Sequence, residues 1–173
     1  MGCSNIGLTT ETAGAIPEEI HGNVDFVGEL TGSMSFRQVK NSPNSPTVIK
    51  SSLKFSDERS DITFHKYHVH TLYDFSYSNG DCNNNGGHYH PTTGVPCLTP
   101  NLDGNVCEIG DLNNKLGLLE LTGNSGTLTQ TDNWLPLSGE YSILGKSITI
   151  HNVDGSRMSC GGIKTSGQYT VVF

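Results

Sequence analysis

Charge is sparse in this sequence, and basic charge is the sparser kind. Aspartate and glutamate number 17 against 10 lysines and arginines, and the formal net charge is -7. No Lys/Arg-rich stretch occurs, so we expect neither nucleic acid nor an anionic membrane as the main partner, because both need a concentrated basic patch. No apolar run approaches the roughly 20 residues of a membrane span, so no membrane contact by this domain is expected.

Several short motifs are also missing. There is no Cys-x-x-Cys unit and no Asn-x-Ser/Thr sequon, and the first residues show neither a signal peptide nor a myristoylation motif. The odd number of cysteines predicts two disulfides and an unpaired Cys3, and the other four cysteines allow three pairings. Two disulfides favour an oxidising, extracellular or cell-surface location. The five cysteines are Cys3, Cys82, Cys97, Cys107 and Cys160.

No segment has a sustained helical period, and the remaining pattern is typical of an all-β fold. Glycine is abundant, at 21 of 173 residues, and short β-rich runs alternate with Asn/Gly/Ser/Pro clusters. We read 1–17 as a flexible tail or linker and 18–173 as one domain. Eight short strands fit a Greek-key barrel or sandwich. They are predicted at 19–30, 33–38, 47–55, 62–70, 116–121, 126–131, 147–151 and 168–172.

The stretch 74–111 breaks this rhythm, because it has little strand pattern and is rich in Asn, Gly, Pro, His and Cys. Long loops of this kind in a compact domain are usually functional. Cys97 and Cys107 bracket part of the stretch, and we expect a second disulfide between them that stiffens it. The chemistry is therefore sought in this loop and at the strand ends around it.

Four of the seven histidines lie in or beside three short segments of the chain. They are His68, His70, His88 and His151. His68 and His70 are two apart on a predicted strand, so both side chains project from one face and can bind one metal ion. Imidazole clusters without thiolates suit copper or zinc. Taken alone, a His-x-His pair on a strand is more often a solvated face.

The surrounding residues favour the metal, because five segments resemble the Cu/Zn superoxide dismutase family in family order, over about 19–173. HKYHVH at 65–70 resembles the family's His-Gly-Phe-His-Val-His, and the run from Cys82 to GGHYHP at 86–91 resembles its Cys-then-Gly-Pro-His-Phe-Asn-Pro. EIGDL at 108–112 resembles His-Val-Gly-Asp-Leu. SGEYSILGK at 138–146, before His151, and GSRMSCG at 155–161 resemble two further family segments.

The resemblance implies a site and a disulfide. His68, His70, His88 and His151 become copper ligands. Arg157 becomes the guanidinium that attracts and orients superoxide, as suits a planar, permanently charged group. Cys82 and Cys160 become a disulfide that closes a long loop.

Two departures from the family predict a copper site without zinc. Glu108 replaces one zinc-binding histidine, and no histidine lies between His90 and His151 to supply another. Only Asn152–Gly155 separate His151 from Ser156, so the family's long charged loop is missing and the copper is expected to be solvent-open. Both features resemble the copper-only branch of the family. We expect a monomer that is one part of a tandem-repeat or anchored protein.

The resemblance implies disproportionation of superoxide to dioxygen and hydrogen peroxide. His88 is the candidate proton donor, held by a hydrogen bond from its second ring nitrogen to Glu108. Two roles remain open for Glu108, this one and that of an exposed loop carboxylate, and Asp111 is a second candidate partner of His88 or a loop cap. Steering is expected from Arg157 and copper, because the net charge of the domain repels an anion.

Two alternative functions remain open. A copper-binding module with little turnover would also use four imidazoles, but it has no need of Arg157. A purely structural module would not need the histidines.

Overall fold

The structure is a computed structural model that describes residues 18–73, 81–91, 93–97 and 106–166. The expected tail at 1–17 and the expected strand at 168–172 lie outside these residues. No helix in the described ranges is long and apolar enough to span a bilayer. The elements are β1 (Glu19–Gly28), β2 (Leu30–Val39), β3 (Thr47–Phe55), β4 (Ile62–His65), β5 (Tyr67–His70), β6 (Thr93–Pro96), β7 (Val106–Glu108), α1 (Leu112–Leu116), β8 (Leu119–Thr122), β9 (Ser125–Asp132), β10 (Ser147–His151), β11 (Arg157–Gly162) and β12 (Lys164–Thr165).

Antiparallel strands form a nearly closed barrel, which confirms the predicted all-β class. Their order is β4, β8, β9, β3, β2, β1, β11, β10 and β5. Because β4 and β5 are separated only by Lys66, the two ends of this order meet at one point of the chain. The connections from β3 to β4 and from β9 to β10 pass over neighbouring strands, as in a Greek key.

Alternating burial along the long strands builds the core. In β3, every second residue from Thr47 to Phe55 is buried, while the residues between them are exposed or half-buried. Ile49, Leu53 and Phe55 thus point inward and are nearly inaccessible to solvent. They pack in one cluster with inward residues of the other strands, which include Phe36, Tyr67, Leu119, Ile148 and Ile150.

The predicted single strand at 62–70 is two strands, with a break at Lys66. The first half, β4, pairs with β8, and the second half, β5, pairs with β10. The chain has to bend here because it changes pairing partner at the seam of the barrel. The break matters for function because it lies directly before the two histidines of β5.

Strand β11 was not predicted, because close packing removes the usual strand signal from its sequence. It lies between β1 and β10, and its last five residues are buried. A Cβ atom on Gly161 would meet the Asp25 carbonyl oxygen at 2.3 Å and Val24 Cγ1 at 2.5 Å. Glycine is thus required at a position where β-branched residues would have revealed a strand.

The stretch 74–111 contains more structure than its composition predicts. Strands β6 and β7 pair as a two-stranded sheet. The Cys97–Cys107 disulfide joins the two sides of this sheet, which confirms the predicted second disulfide. The predicted strand at 116–121 begins instead in α1, and β8 starts only at Leu119. A five-residue helix is too short to show a helical period; Asp111 caps it by accepting from the Asn114 amide.

Candidate metal centre

Strand β5 carries the first two histidines of the site. All four of its residues are buried, and His68 and His70 lie two apart, as the sequence predicts. Antiparallel pairing places His68 opposite Thr149 and His70 opposite Ser147 on β10. The strand therefore presents both rings beside the strand that ends in His151.

The other two histidines reach the site through irregular backbone. A register shift falls between Ile150 and His151 at the end of β10, where it pairs with β11. Such irregularities change the direction of a side chain at a strand end. His88 forms an isolated bridge with His70, which attaches the following loop to the end of β5.

These four side chains converge. His68, His70, His88 and His151 each offer one ring nitrogen, and those four nitrogens lie within 4.8 Å of one another. In the described ranges this is the one group of histidine, cysteine, aspartate and glutamate residues that could hold a metal ion. His88 is the most accessible of the four, with 42% of its side chain exposed.

Backbone carbonyls orient two of the rings. His70 Nδ1 lies 3.0 Å from the Gly86 carbonyl oxygen, and His151 Nδ1 lies 3.0 Å from that of Gly155. A carbonyl oxygen can only accept, so Nδ1 carries the hydrogen in both rings. This leaves Nε2 of each ring with a lone pair for a metal.

Carboxylates face the other two rings. His68 Nε2 lies 3.5 Å from Asp111 Oδ1, and His88 Nδ1 lies 3.5 Å from Glu108 Oε2. These are ion-pair separations, longer than well-formed hydrogen bonds. The sequence left two roles open for Glu108 and two for Asp111: Glu108 does lie beside His88, and Asp111 caps α1 and faces His68 rather than His88.

The remaining ring nitrogens fit a metal ion of the copper or zinc type. His68 Nδ1, His70 Nε2 and His151 Nε2 are buried, and none has a hydrogen-bond partner among the described residues. A buried polar atom without a partner is costly, and three that converge on one point indicate a missing common partner. Neutral imidazole nitrogens are ligands for copper and zinc.

Burial keeps these rings neutral. It lowers the pKa of His70 to about 4, with further contributions from Arg157 and the neighbouring imidazoles. Burial and the neighbouring imidazoles lower the pKa of His68 still further, and burial also lowers the pKa of His151. The histidines are thus held in their metal-binding form at neutral pH.

Arg157 lies beside the cluster and holds the loop that precedes His88. Its Nη1 donates to Asn85 Oδ1 at 2.5 Å and to the Cys82 carbonyl at 2.8 Å. Its Nη2 donates to the Gly86 carbonyl at 2.6 Å. The Cys82–Cys160 disulfide, which the resemblance implied, is present and ties the same loop to β11.

Other histidines have structural positions. His65 is buried, and its ring nitrogens contact the His151 carbonyl and Thr63 Oγ1 at 3.1 and 3.0 Å. His21 lies on the outer side of β1 beside Glu19. His90 is exposed and is not part of the cluster. None of these three joins the site.

An open groove of about 500 Å³ leads to the histidines. Its lining includes Lys66, at the break between β4 and β5, and the two acids Glu108 and Asp111. No sequence pattern singles out Lys66, because the strand break that places it here was not predicted.

Comparison with known proteins agrees with this geometry. A family model described as copper/zinc superoxide dismutase matches residues 30–168. The extracellular superoxide dismutase [Cu-Zn] of Caenorhabditis elegans is 30% identical over 88% of this chain and 65% of its own length. The cell surface superoxide dismutase [Cu-Zn] 6 of Candida albicans is 27% identical over 59% of this chain and 32% of its own length. The chain thus spans less than two thirds of these two relatives.

A solved structure shares the fold. Candida albicans superoxide dismutase 5, in a structure described as Cu(II), superposes with a TM-score of 0.65 and covers 88% of this chain and 95% of its own. Sequence identity is 24%. At that identity, the comparison shows that the two proteins share a fold.

Proposed function

This chain belongs to the copper/zinc superoxide dismutase family, and we propose that it disproportionates superoxide to dioxygen and hydrogen peroxide. One observation carries the proposal: four rings each offer a nitrogen within 4.8 Å of the others, and three of the rings have a buried nitrogen with no hydrogen-bond partner in the described part of the chain. We assign His68, His70, His88 and His151 as the ligands of a single copper ion. Bound copper would supply the one-electron chemistry, accepting an electron from one superoxide and returning it to a second.

The chain's own residues orient the ligands. The carbonyls of Gly86 and Gly155 take the Nδ1 hydrogens of His70 and His151, so each ring keeps Nε2 for the metal. Asp111 faces the outer nitrogen of His68 in the same way. Arg157 fixes the loop before His88 and adds positive charge beside the cluster.

His88 is the proposed proton donor. It is the most exposed ligand, so solvent can return its proton, and Glu108 faces its Nδ1. The carboxylate favours the hydrogen on Nδ1 and leaves Nε2 as the atom that exchanges a proton at the site. Solvent in the open groove supplies the second proton that peroxide formation needs.

We further propose that the site works without zinc. Family zinc sites use the outer nitrogen of the ligand at the position of His88, and here Glu108 faces that nitrogen. Asp111 is already directed to His68 and to the Asn114 amide. A zinc ion would have to displace these contacts and would gain few nitrogen ligands.

Location and assembly are proposed on similar grounds. Two disulfides favour an oxidising compartment, and two relatives are named for an extracellular and a cell-surface location. We propose an extracellular or cell-surface monomer that is one part of a tandem-repeat or anchored protein.

A copper-binding module with little turnover is the second candidate, because the four hydrogen bonds of the Arg157 guanidinium go to the loop rather than the groove. Pulse radiolysis of copper-loaded protein separates the two. An enzyme removes many equivalents of superoxide per copper at a constant rate constant. A binding module removes about one equivalent and stops, and that result would refute the proposed activity.

A further inference from the structure

The groove over the histidines has an uneven charge distribution. Among its described lining residues, Lys66 is the one lysine or arginine, and Glu108 and Asp111 are the acids. A superoxide anion that enters also meets the field of a domain with net charge -7. A positive charge inside the groove itself therefore favours entry.

Backbone structure fixes the base of Lys66 next to the cluster. Its carbonyl oxygen accepts from the His151 amide over 2.9 Å. The residue occupies the break between β4 and β5, between buried His65 and buried Tyr67, and is itself exposed. Lys66 therefore lines the groove together with His68 and His151.

Arg157 is placed less favourably for an approaching anion. Its Nη1 and Nη2 atoms donate to four oxygen atoms of the loop 82–86. It is not among the residues that line the groove. Arg157 is half-buried and bound to the loop, whereas Lys66 is exposed to solvent.

We propose that Lys66 is the principal steering residue of the site, which attracts a small anion into the groove; this rests on the function proposed above. Lys66 lies two residues before His68, and both residues line the same groove. A flexible, strongly hydrated ammonium suits transient attraction rather than tight binding. Steering of this kind acts on the association rate and weakens with salt.

Three variants test the proposal. Lys66→Gln removes the charge, Lys66→Arg keeps it, and Lys50→Gln makes the same change in net charge from the exposed face of β3, away from the groove. Each copper-loaded protein is brought to equal copper content. The rate constant for superoxide is measured by pulse radiolysis between about 10 mM and 300 mM salt, a range over which the Debye length falls from about 30 Å to well under 10 Å.

We expect Lys66→Gln to lower the rate constant about two- to five-fold at low salt and to flatten its salt dependence, as loss of one nearby charge in water predicts. Lys66→Arg and Lys50→Gln should retain the wild-type rate and slope. Equal losses in Lys66→Gln and Lys50→Gln would show that net charge alone matters and would overturn the proposal. An unchanged Lys66→Gln would do the same.

A second measurement separates this proposal from the proposed function. Azide, a small monovalent anion, is titrated into the Cu(II)-loaded proteins and followed by optical absorption. Lys66→Gln should bind azide at least two-fold more weakly at low salt, and Lys50→Gln should bind it normally. If the wild type did not turn over superoxide, the proposed function would fail while the azide titration still tested Lys66.

Discussion

Arg157 and His70 donate hydrogen bonds to the same acceptor, the carbonyl oxygen of Gly86, over 2.6 Å from Nη2 and 3.0 Å from Nδ1. Gly86 has a positive φ of 76°, and a Cβ there would lie 2.3 Å from Thr71 Oγ1. A glycine is therefore required at the shared acceptor. The guanidinium and one proposed ligand depend on a single piece of backbone, so a change in one is expected to alter the other.

Replacing Arg157 tests this link. Arg157→Lys keeps the charge, but a point-like ammonium cannot serve acceptors spread over Cys82, Asn85 and Gly86. We expect the rate constant for superoxide to fall about ten-fold, equivalent to roughly 1.4 kcal/mol. The Cu(II) electron paramagnetic resonance spectrum should also change, because the support of His70 moves. A wild-type rate and spectrum at full copper occupancy would remove this role.

Glu108 is expected to hold His88 through its outer nitrogen. Glu108→Ala should weaken copper affinity by about 10- to 100-fold, the usual effect of losing a carboxylate behind a metal-binding histidine. Competition with a calibrated copper chelator measures the change. The matched control is Glu120→Ala, at an exposed position on β8, which should bind copper normally. Wild-type affinity in Glu108→Ala would favour the reading of Glu108 as an exposed loop carboxylate.

The metal-free protein should lose stability as the pH falls below about 6.5. Burial lowers the pKa of His68, His70, His151 and His65 in the folded state, so the unfolded chain takes up protons first. Stability is then complete above the unfolded pKa near 6.5 and declines towards the folded pKa, about 4 for His70. Each histidine contributes a slope of up to about 1.4 kcal/mol per pH unit.

Urea unfolding at several pH values between 5.0 and 7.5 measures this effect. The unfolding midpoint should be constant above about pH 6.5 and should drop steadily as the pH falls from there to 5.0. A flat profile would contradict the prediction, because it would mean that His65, His68, His70 and His151 are not held buried and neutral in the metal-free protein.

A buried ion pair supports the segment that carries the two carboxylates. Lys115 Nζ donates to Asp132 Oδ2 and, over 2.6 Å, to the Ile109 carbonyl, and both side chains are almost inaccessible. Lys115→Met leaves a buried, unpaired carboxylate and should cost about 3–5 kcal/mol of unfolding free energy. The double variant Lys115→Met/Asp132→Asn should cost clearly less than the sum of the single changes. Additive losses in urea unfolding would contradict a direct pair.

Residue periodicity predicted the regular strands well. The predicted ranges 47–55 and 147–151 coincide with β3 and β10. Strand β3 alternates inward and outward residues, and β10 follows a clear β-rich run. Strand β11 has neither signal, because all but its first residue is buried and Gly161 is required by the approach of β1.

The site was predicted as far as side chains could reveal it. Pattern and resemblance together pointed to the four histidines, which the fold brings into one cluster. Backbone carbonyls orient the rings of His70 and His151, and a backbone contact cannot be read from the type of a side chain. For Asp111 the sequence anticipated a cap but not the contact with His68, and Lys66 was missed, because a short helix and a strand break, both set by tertiary packing, decide where they lie.

The central claim is that one copper ion held by four imidazoles suffices for catalysis. The most direct measurement is the superoxide rate constant, followed by pulse radiolysis, as copper is titrated into metal-free protein in zinc-free buffer, with zinc added at the end. We predict a linear rise that levels off at one copper per chain and no change when zinc is added. No activity at full copper occupancy, or activity that appears only with stoichiometric zinc, would contradict the account.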